Sequence, residues 1–146
     1  MQSGSLYRVV YMSTAVGVLR ADELDRIYLR AKSANAGAGI TGLLLFYEGV
    51  FLQALEGPQA GVASLMERIR RDRRHAGLTV LESGAVAARA FEGWPMNFVA
   101  ARNLSMGEKQ AFSELRQLVS QRPGLAAVEL GLSDFLAAFA TVRPAV

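Results

Sequence analysis

Gln53 is the residue of this chain whose surroundings most demand a chemical explanation. It lies within Val50-Phe51-Leu52-Gln53-Ala54-Leu55, and Tyr47-Glu48-Gly49 separates that run from a second apolar run, Leu43-Leu44-Leu45-Phe46. Two β-rich runs around a tight turn predict a hairpin, and strands apolar on both faces predict one covered on both sides. The Gln53 carboxamide is then buried. Leaving its two donors and one acceptor unpaired costs roughly 1–3 kcal/mol, so a polar group from the protein or a ligand must meet it.

Other residues with chemistry to offer are Tyr11, Asn35, Arg68 and Asp72, and the elements carrying them follow from the pattern. Leu6 to Ser13 reads as a strand with Tyr7, Val9, Tyr11 and Ser13 on one face and Leu6, Arg8 and Val10 on the other. Ala21 to about Ala34 reads as a helix with an apolar stripe of Leu24, Ile27, Tyr28 and Ala31, and with Asp22 and Glu23 in the first turn. Asn35 to Gly39 should end it. Pro58 should open a second helix striped by Val62, Leu65, Met66 and Ile69, with Arg68 and Asp72 spaced i, i+4 beside the stripe. Leu78 to Leu81 and Asn97 to Ala101 complete a β-α-β-β-α-β order with one further strand.

That order predicts an α+β, ferredoxin-like βαββαβ core with an additional strand. Right-handed crossovers put its first and third strands side by side at the sheet centre. Tyr11 and Gln53 then become neighbours on the face covered by both helices. A flat ligand between the helices, edge toward the sheet, would meet Tyr11, Gln53, Asn35, Arg68 and Asp72 together.

Composition limits the alternatives. The chain has 146 residues, 51% hydrophobic, enough for one domain with an extension. Without cysteine it has no disulfide, thiolate metal site or cysteine–flavin adduct, and its single histidine, His75, rules out a multi-histidine metal site. No apolar run is long enough to span a bilayer and no signal peptide is visible, which predicts a soluble, cytoplasmic protein with no membrane role. The formal charge is +3, and the basic residues gather at Arg68, Arg70, Arg71, Arg73, Arg74 and His75. That cluster suits a solvated helix C-terminus, and it lacks the interleaved aromatics of a single-strand nucleic-acid surface.

Taken together, several spaced elements resemble the BLUF family of flavin-binding blue-light sensors. They are Tyr11-Met12-Ser13, Asn35 followed by Gly39-Ile40-Thr41-Gly42-Leu43-Leu44, Phe51-Leu52-Gln53-Ala54-Leu55-Glu56-Gly57, Arg68-Ile69 with Asp72-Arg73-Arg74-His75, and Gly93-Trp94-Pro95-Met96. The resemblance covers roughly Leu6 to Leu104 and implies FAD as cofactor and a photoreceptor rather than an enzyme. It implies Tyr11 as the redox-active tyrosine and Gln53 as the amide joining it to the flavin. Asn35 falls at the carbonyl and N3 edge, and Arg68, Asp72, Arg74 and His75 near the pyrimidine end and outer side. Ser13, Ile27 and Met96 match further cofactor contacts, and Trp94 and Met96 match the pair implicated in output. Ala34 stands where many members carry Asn or His, so one ring contact is absent.

Two other classes fit the same fold. An acylphosphatase-like hydrolase needs a phosphate cradle after the first strand, and Ser13-Thr14-Ala15-Val16-Gly17-Val18-Leu19-Arg20 makes a poor one, with one glycine and a late arginine. A non-photoactive interaction module is the other. Residues 1–103 are expected to form the flavin-binding domain and 104–146 a helical extension packed on the sheet. In that extension Leu115, Leu118 and Val119 mark one short helix, and Val128, Leu132, Phe135, Leu136 and Phe139 a second after a break at Pro123-Gly124. So short an extension predicts output through a separate protein partner or a homo-oligomer.

Overall fold

A computed structural model of the protein describes residues 6–91, 97–100, 103–122, 124 and 131–139. Its strands are β1 (Leu6–Ala15), β2 (Thr41–Tyr47), β3 (Val50–Pro58), β4 (His75–Ala85) and β5 (Asn97–Val99). The helices are α1 (Ala21–Ala38), α2 (Gln59–Arg70), α3 (Met106–Gln121) and α4 (Leu132–Phe139). One sheet runs β4-β1-β3-β2-β5, with β1 and β3 central and antiparallel and β5 added parallel to β2. This is the α+β, ferredoxin-like arrangement with its extra strand.

The β2–β3 hairpin closes on Glu48 and Gly49, with φ of 49° and 79°, the left-handed pair that matches the twist of adjoining strands. Gly42 is required on other grounds. A Cβ there would lie 2.1 Å from the Ala54 carbonyl oxygen, so β2 and β3 can pair at that point only without a side chain.

Alternation of side chains divides the core in two. Val9, Tyr11, Leu44, Phe51 and Leu55 face α1 and α2, where Val62, Leu65 and Met66 complete one cluster with Leu24, Ile27 and Ala31 against it. Tyr28 of α1 stacks on Phe98 of β5 at 5.4 Å. The opposite face, with Val10, Leu43, Leu45 and Leu52, packs against Phe112 and Leu115 of α3 and Leu132 and Leu136 of α4. The sheet is therefore covered on both sides.

Four sequence expectations need correction. First, α1 continues past Ala34 to Ala38 and stops at Gly39 in the left-handed conformation, so Asn35 lies within its last turns rather than at its end. The alanines favour helix strongly enough to offset Gly37, which costs about 1 kcal/mol relative to alanine. Second, α2 ends at Arg70, leaving Asp72 beyond the helix instead of one turn below Arg68. The reason is local: the Asp72 carboxylate accepts the Arg74 backbone N–H at 2.9 Å, forming a turn that competes with helix continuation. Third, β4 is longer than Leu78–Leu81 because it pairs with β1 over most of its length, which draws His75 into the sheet. Fourth, β5 is shorter, ending at Val99.

The extension carries its own signals. Ser105 Oγ accepts the Glu108 N–H at 3.1 Å while Glu108 accepts the Ser105 N–H at 2.7 Å, a reciprocal cap that starts α3 well before the expected apolar stripe. Pro123 and Val128 lie outside the described residues.

Candidate flavin site

The site begins with a register. Tyr11 of β1 stands opposite Gln53 of β3, and Gln53 stands opposite Leu44 of β2, so three central strands place three side chains together on the helix-covered face. There the Tyr11 hydroxyl donates to Gln53 Oε1. Both residues are buried, each 4% exposed.

Above them, between α1 and α2, opens a cavity of about 310 Å³. Ile27, Ala31 and Ala34 of α1 form one wall, Leu65 and Ile69 of α2 the other, and Leu44 and Phe51 part of the floor. Tyr11, Gln53 and the fully buried Asn35 supply the polar groups, and Arg68, Asp72, Arg74, His75 and Arg30 complete the lining. Its size lies at the low end of small-molecule sites, with the expected mixture of apolar walls and a few convergent polar groups. A flat tricyclic ring with an apolar body and one polar edge suits that lining.

The electrostatics are ordered by Asp72. Its carboxylate accepts Arg74 Nη2 at 2.6 Å and Nε at 2.9 Å besides the backbone N–H. These bonds, the Arg74 side chain foremost, hold the Asp72 carboxyl below its usual range, and the same pairing raises Arg74. Burial pushes the Tyr11 phenol far above its ordinary range, and the negative charge of Asp72 adds to this. Tyr11 is accordingly a neutral phenol at physiological pH.

His75 is fixed from two sides. Its Nε2 lies 2.7 Å from the Ile69 carbonyl oxygen and therefore donates, which makes Nδ1 of a neutral ring the acceptor for Ser13 Oγ at 2.7 Å. Ser13 does not line the cavity; it holds His75, whose ring sits 6.2 Å from that of Tyr11. Trp94 and Met96 lie outside the described residues.

Sequence reasoning left Arg30, Ala31, Leu44, Phe51, Leu65 and Ile69 unassigned as lining residues. Phe51 was legible as the i−2 neighbour of Gln53, and Ala31 and Arg30 from their spacing to Ile27 and Ala34 on one helix side. Glu56 was missed altogether. Fully buried on the face opposite Gln53, it accepts Arg8 Nε at 2.8 Å, the Ala90 N–H at 2.9 Å and the Phe91 N–H at 3.0 Å.

A mixed sheet with a buried tyrosine–glutamine pair under an interhelical cavity defines a small-molecule-binding architecture, and comparison with known proteins gives it a family. The model for BLUF, "Sensors of blue-light using FAD", matches residues 6–97, and the chain belongs to that family of blue-light, flavin-binding sensors. The photoactivated adenylate cyclase subunit alpha of Euglena gracilis is 31% identical over 118 residues, 81% of this chain. Subunit beta of Euglena longa is 30% identical, over 80% of the chain. The chain spans only 11% and 13% of the lengths of those two proteins. Among solved structures, Klebsiella pneumoniae BlrP1 in a manganese and cyclic-diGMP complex is 30% identical, with a TM-score of 0.67 over 92% of this chain and 32% of that one. BlsA in its photo-activated state has a TM-score of 0.80 at 24% identity, over 97% and 99% of the two chains, and shares the fold. Among the described residues no helix is long and apolar enough to cross a membrane.

Proposed function

We propose that this protein is a blue-light switch in which Tyr11 and Gln53 are the photoactive pair, FAD is the cofactor, and the output is an interaction with a separate protein rather than catalysis. The observation that carries the reading is the Tyr11–Gln53 hydrogen bond, buried at the floor of the cavity.

When bound, flavin supplies a photo-excited oxidant that takes one electron and returns it. Tyr11 is the electron donor, because a phenol is easily oxidised and becomes strongly acidic as the electron leaves. Gln53 Oε1 already accepts its hydrogen bond and takes the proton. Once Tyr11 has regained its electron and proton, the Gln53 amide would be left rotated or tautomerised, a change that a carboxylate with two like oxygens could not record. Asn35 of α1 would hold the polar edge of the ring, and the Asp72–Arg74 pair with His75 would border its outer side. In its altered form the Gln53 amide would present a different donor to a bound ring, and the reading expects a red shift as the spectroscopic sign of that change.

Residues 1–103 act in this reading as the sensor and 104–146 as the cap through which a partner or a second copy is addressed. The adenylate cyclase activity named for the Euglena relatives belongs to proteins of which this chain matches a small part. An acylphosphatase-type activity finds little support, since Arg20 is exposed and engaged with Asp22 and Glu23 at the start of α1.

A light-minus-dark spectrum of the flavin-loaded protein tests the proposal. Wild type should show a small, reversible red shift without bleaching. Tyr11→Phe and Gln53→Ala should stay folded and yellow and lose the shift. A normal shift in either variant places the switch elsewhere, and none in loaded wild type removes the photoreceptor reading.

A further inference from the structure

No basic residue stands in the last turn of α1, Asn35-Ala36-Gly37-Ala38, although the carbonyls there carry the negative end of the helix dipole. The cation comes from elsewhere in the chain. Arg89, half-buried in the segment that follows β4, donates from Nη2 to the carbonyl of Gly39, the C-cap of α1, at 2.9 Å. Its Nη1 donates to Thr41 Oγ1 at 2.7 Å and to the Glu56 backbone carbonyl at 3.1 Å. One guanidinium thus joins the end of α1, the start of β2 and the end of β3.

Asn35 is tied to the same point. Its backbone carbonyl accepts the Gly39 N–H and, at 2.9 Å, the Ile40 N–H, so both of the bonds that close the helix end on Asn35. Local propensity holds this turn weakly, because Asn35 and Gly37 are poor helix formers set between the alanines. Arg89 has a firm base from which to hold it. The next two backbone N–H groups, of Ala90 and Phe91, are bound by the Glu56 carboxylate, and the Phe91 side chain is buried in the core on the α3 and α4 side of the sheet. Arg89 does not line the cavity; its bonds reach Asn35 from the end of the helix.

We propose that Arg89 is a positioning residue for the flavin site: by binding the Gly39 carbonyl it fixes the last turn of α1, and so sets where the Asn35 carboxamide meets the polar edge of the ring. This rests on the flavin reading above and on the place it gives Asn35. Hydrogen bonds weaken steeply as their angle opens, so a loosened turn costs the Asn35 contact without removing the residue.

The test is a double-mutant cycle, read by fluorescence titration of the flavin-free protein with FAD, using wild type, Arg89→Gln, Asn35→Ala and the double variant. Arg89→Gln should weaken FAD roughly threefold to tenfold, and should add nothing to the loss already present in Asn35→Ala. In flavin-free Arg89→Gln the Gly39 and Ile40 amides should exchange roughly threefold to tenfold faster than in wild type, as read by NMR. Arg89→Lys keeps a charge but not the fork; it should show the same pattern at smaller size, and it serves if the glutamine variant does not fold. Unchanged FAD affinity in Arg89→Gln overturns the proposal, as do losses that add in the double variant or Gly39 and Ile40 amides that exchange as in wild type. In those cases wild type still binds FAD and the flavin reading stands. If wild type takes up no FAD, the flavin reading fails and the role of Arg89 with it.

Discussion

Removing Glu56 should be among the most damaging single changes in this protein, though it touches no cavity-lining residue. Glu56→Ala takes away a fully buried carboxylate that accepts the Arg8 guanidinium and two backbone N–H groups, those of Ala90 and Phe91. The Arg8 side chain is only 16% exposed and would keep Glu82, at 3.6 Å, as its remaining carboxylate among the described residues. Breaking a buried pair from one side costs about 3–5 kcal/mol, because the charge left behind is poorly solvated. That is a large share of the roughly 5–15 kcal/mol that holds a domain together. With a urea m-value of about 2 kcal/mol/M, the unfolding midpoint should fall by about 1.5–2.5 M. Glu56→Gln keeps the shape and one acceptor and should lose less. Arg8→Met combined with Glu56→Leu should recover the ion-pair part of the loss but not the part owed to the two orphaned backbone donors. A Glu56→Ala loss below about 1 kcal/mol, the scale of an exposed pair, would show that water reaches this network and that the reasoning from burial is wrong.

Three further outcomes are expected. The folded state holds the Tyr11 phenol above its unfolded pKa of about 10, so its contribution to stability is complete below that pH and declines as pH rises beyond it; thermal melts from pH 8 to 11.5 should fall more steeply for wild type than for Tyr11→Phe, and equal slopes would contradict the burial argument. Truncation after Asn103 removes Phe112, Leu115, Leu132 and Leu136 from the sheet face of Val10, Leu45 and Leu52, and should preserve flavin binding while causing aggregation or altered self-association, as read by light scattering; a truncated protein with the same light-dependent size as the full chain would take the helices out of the output path. Glu48→Asn puts a residue tolerant of positive φ at the hairpin turn and should stabilise by up to about 1 kcal/mol in urea unfolding, whereas no change would show that the turn relaxes without strain.

Much of the candidate site could be read from the chain because it depends on two regularities. Side-chain alternation put Tyr11 and Gln53 each on a known face, and the right-handed crossover rule made their strands neighbours, so their meeting needed no coordinates. The same regularities showed that both faces of the hairpin required cover. Asp72 was harder to place: its helical spacing to Arg68 looked like a pair, yet its carboxylate folds back onto the Arg74 N–H and ends the helix, a choice between two local hydrogen bonds that spacing cannot express.

What the sequence determined by itself was the periodic part: which elements form, which faces are apolar, and that one amide is buried among them. Tertiary structure decided the rest. It carried β4 out to His75 by pairing it with β1, brought Ala90 and Phe91 to Glu56 from more than thirty residues away, and set Arg30 across a cavity from Arg68. The physical reason is that periodicity reports the orientation of a side chain on its own element, whereas a hydrogen bond or a shared cavity depends on the distance between elements. That distance is fixed only when the sheet register and the two helix layers are packed together.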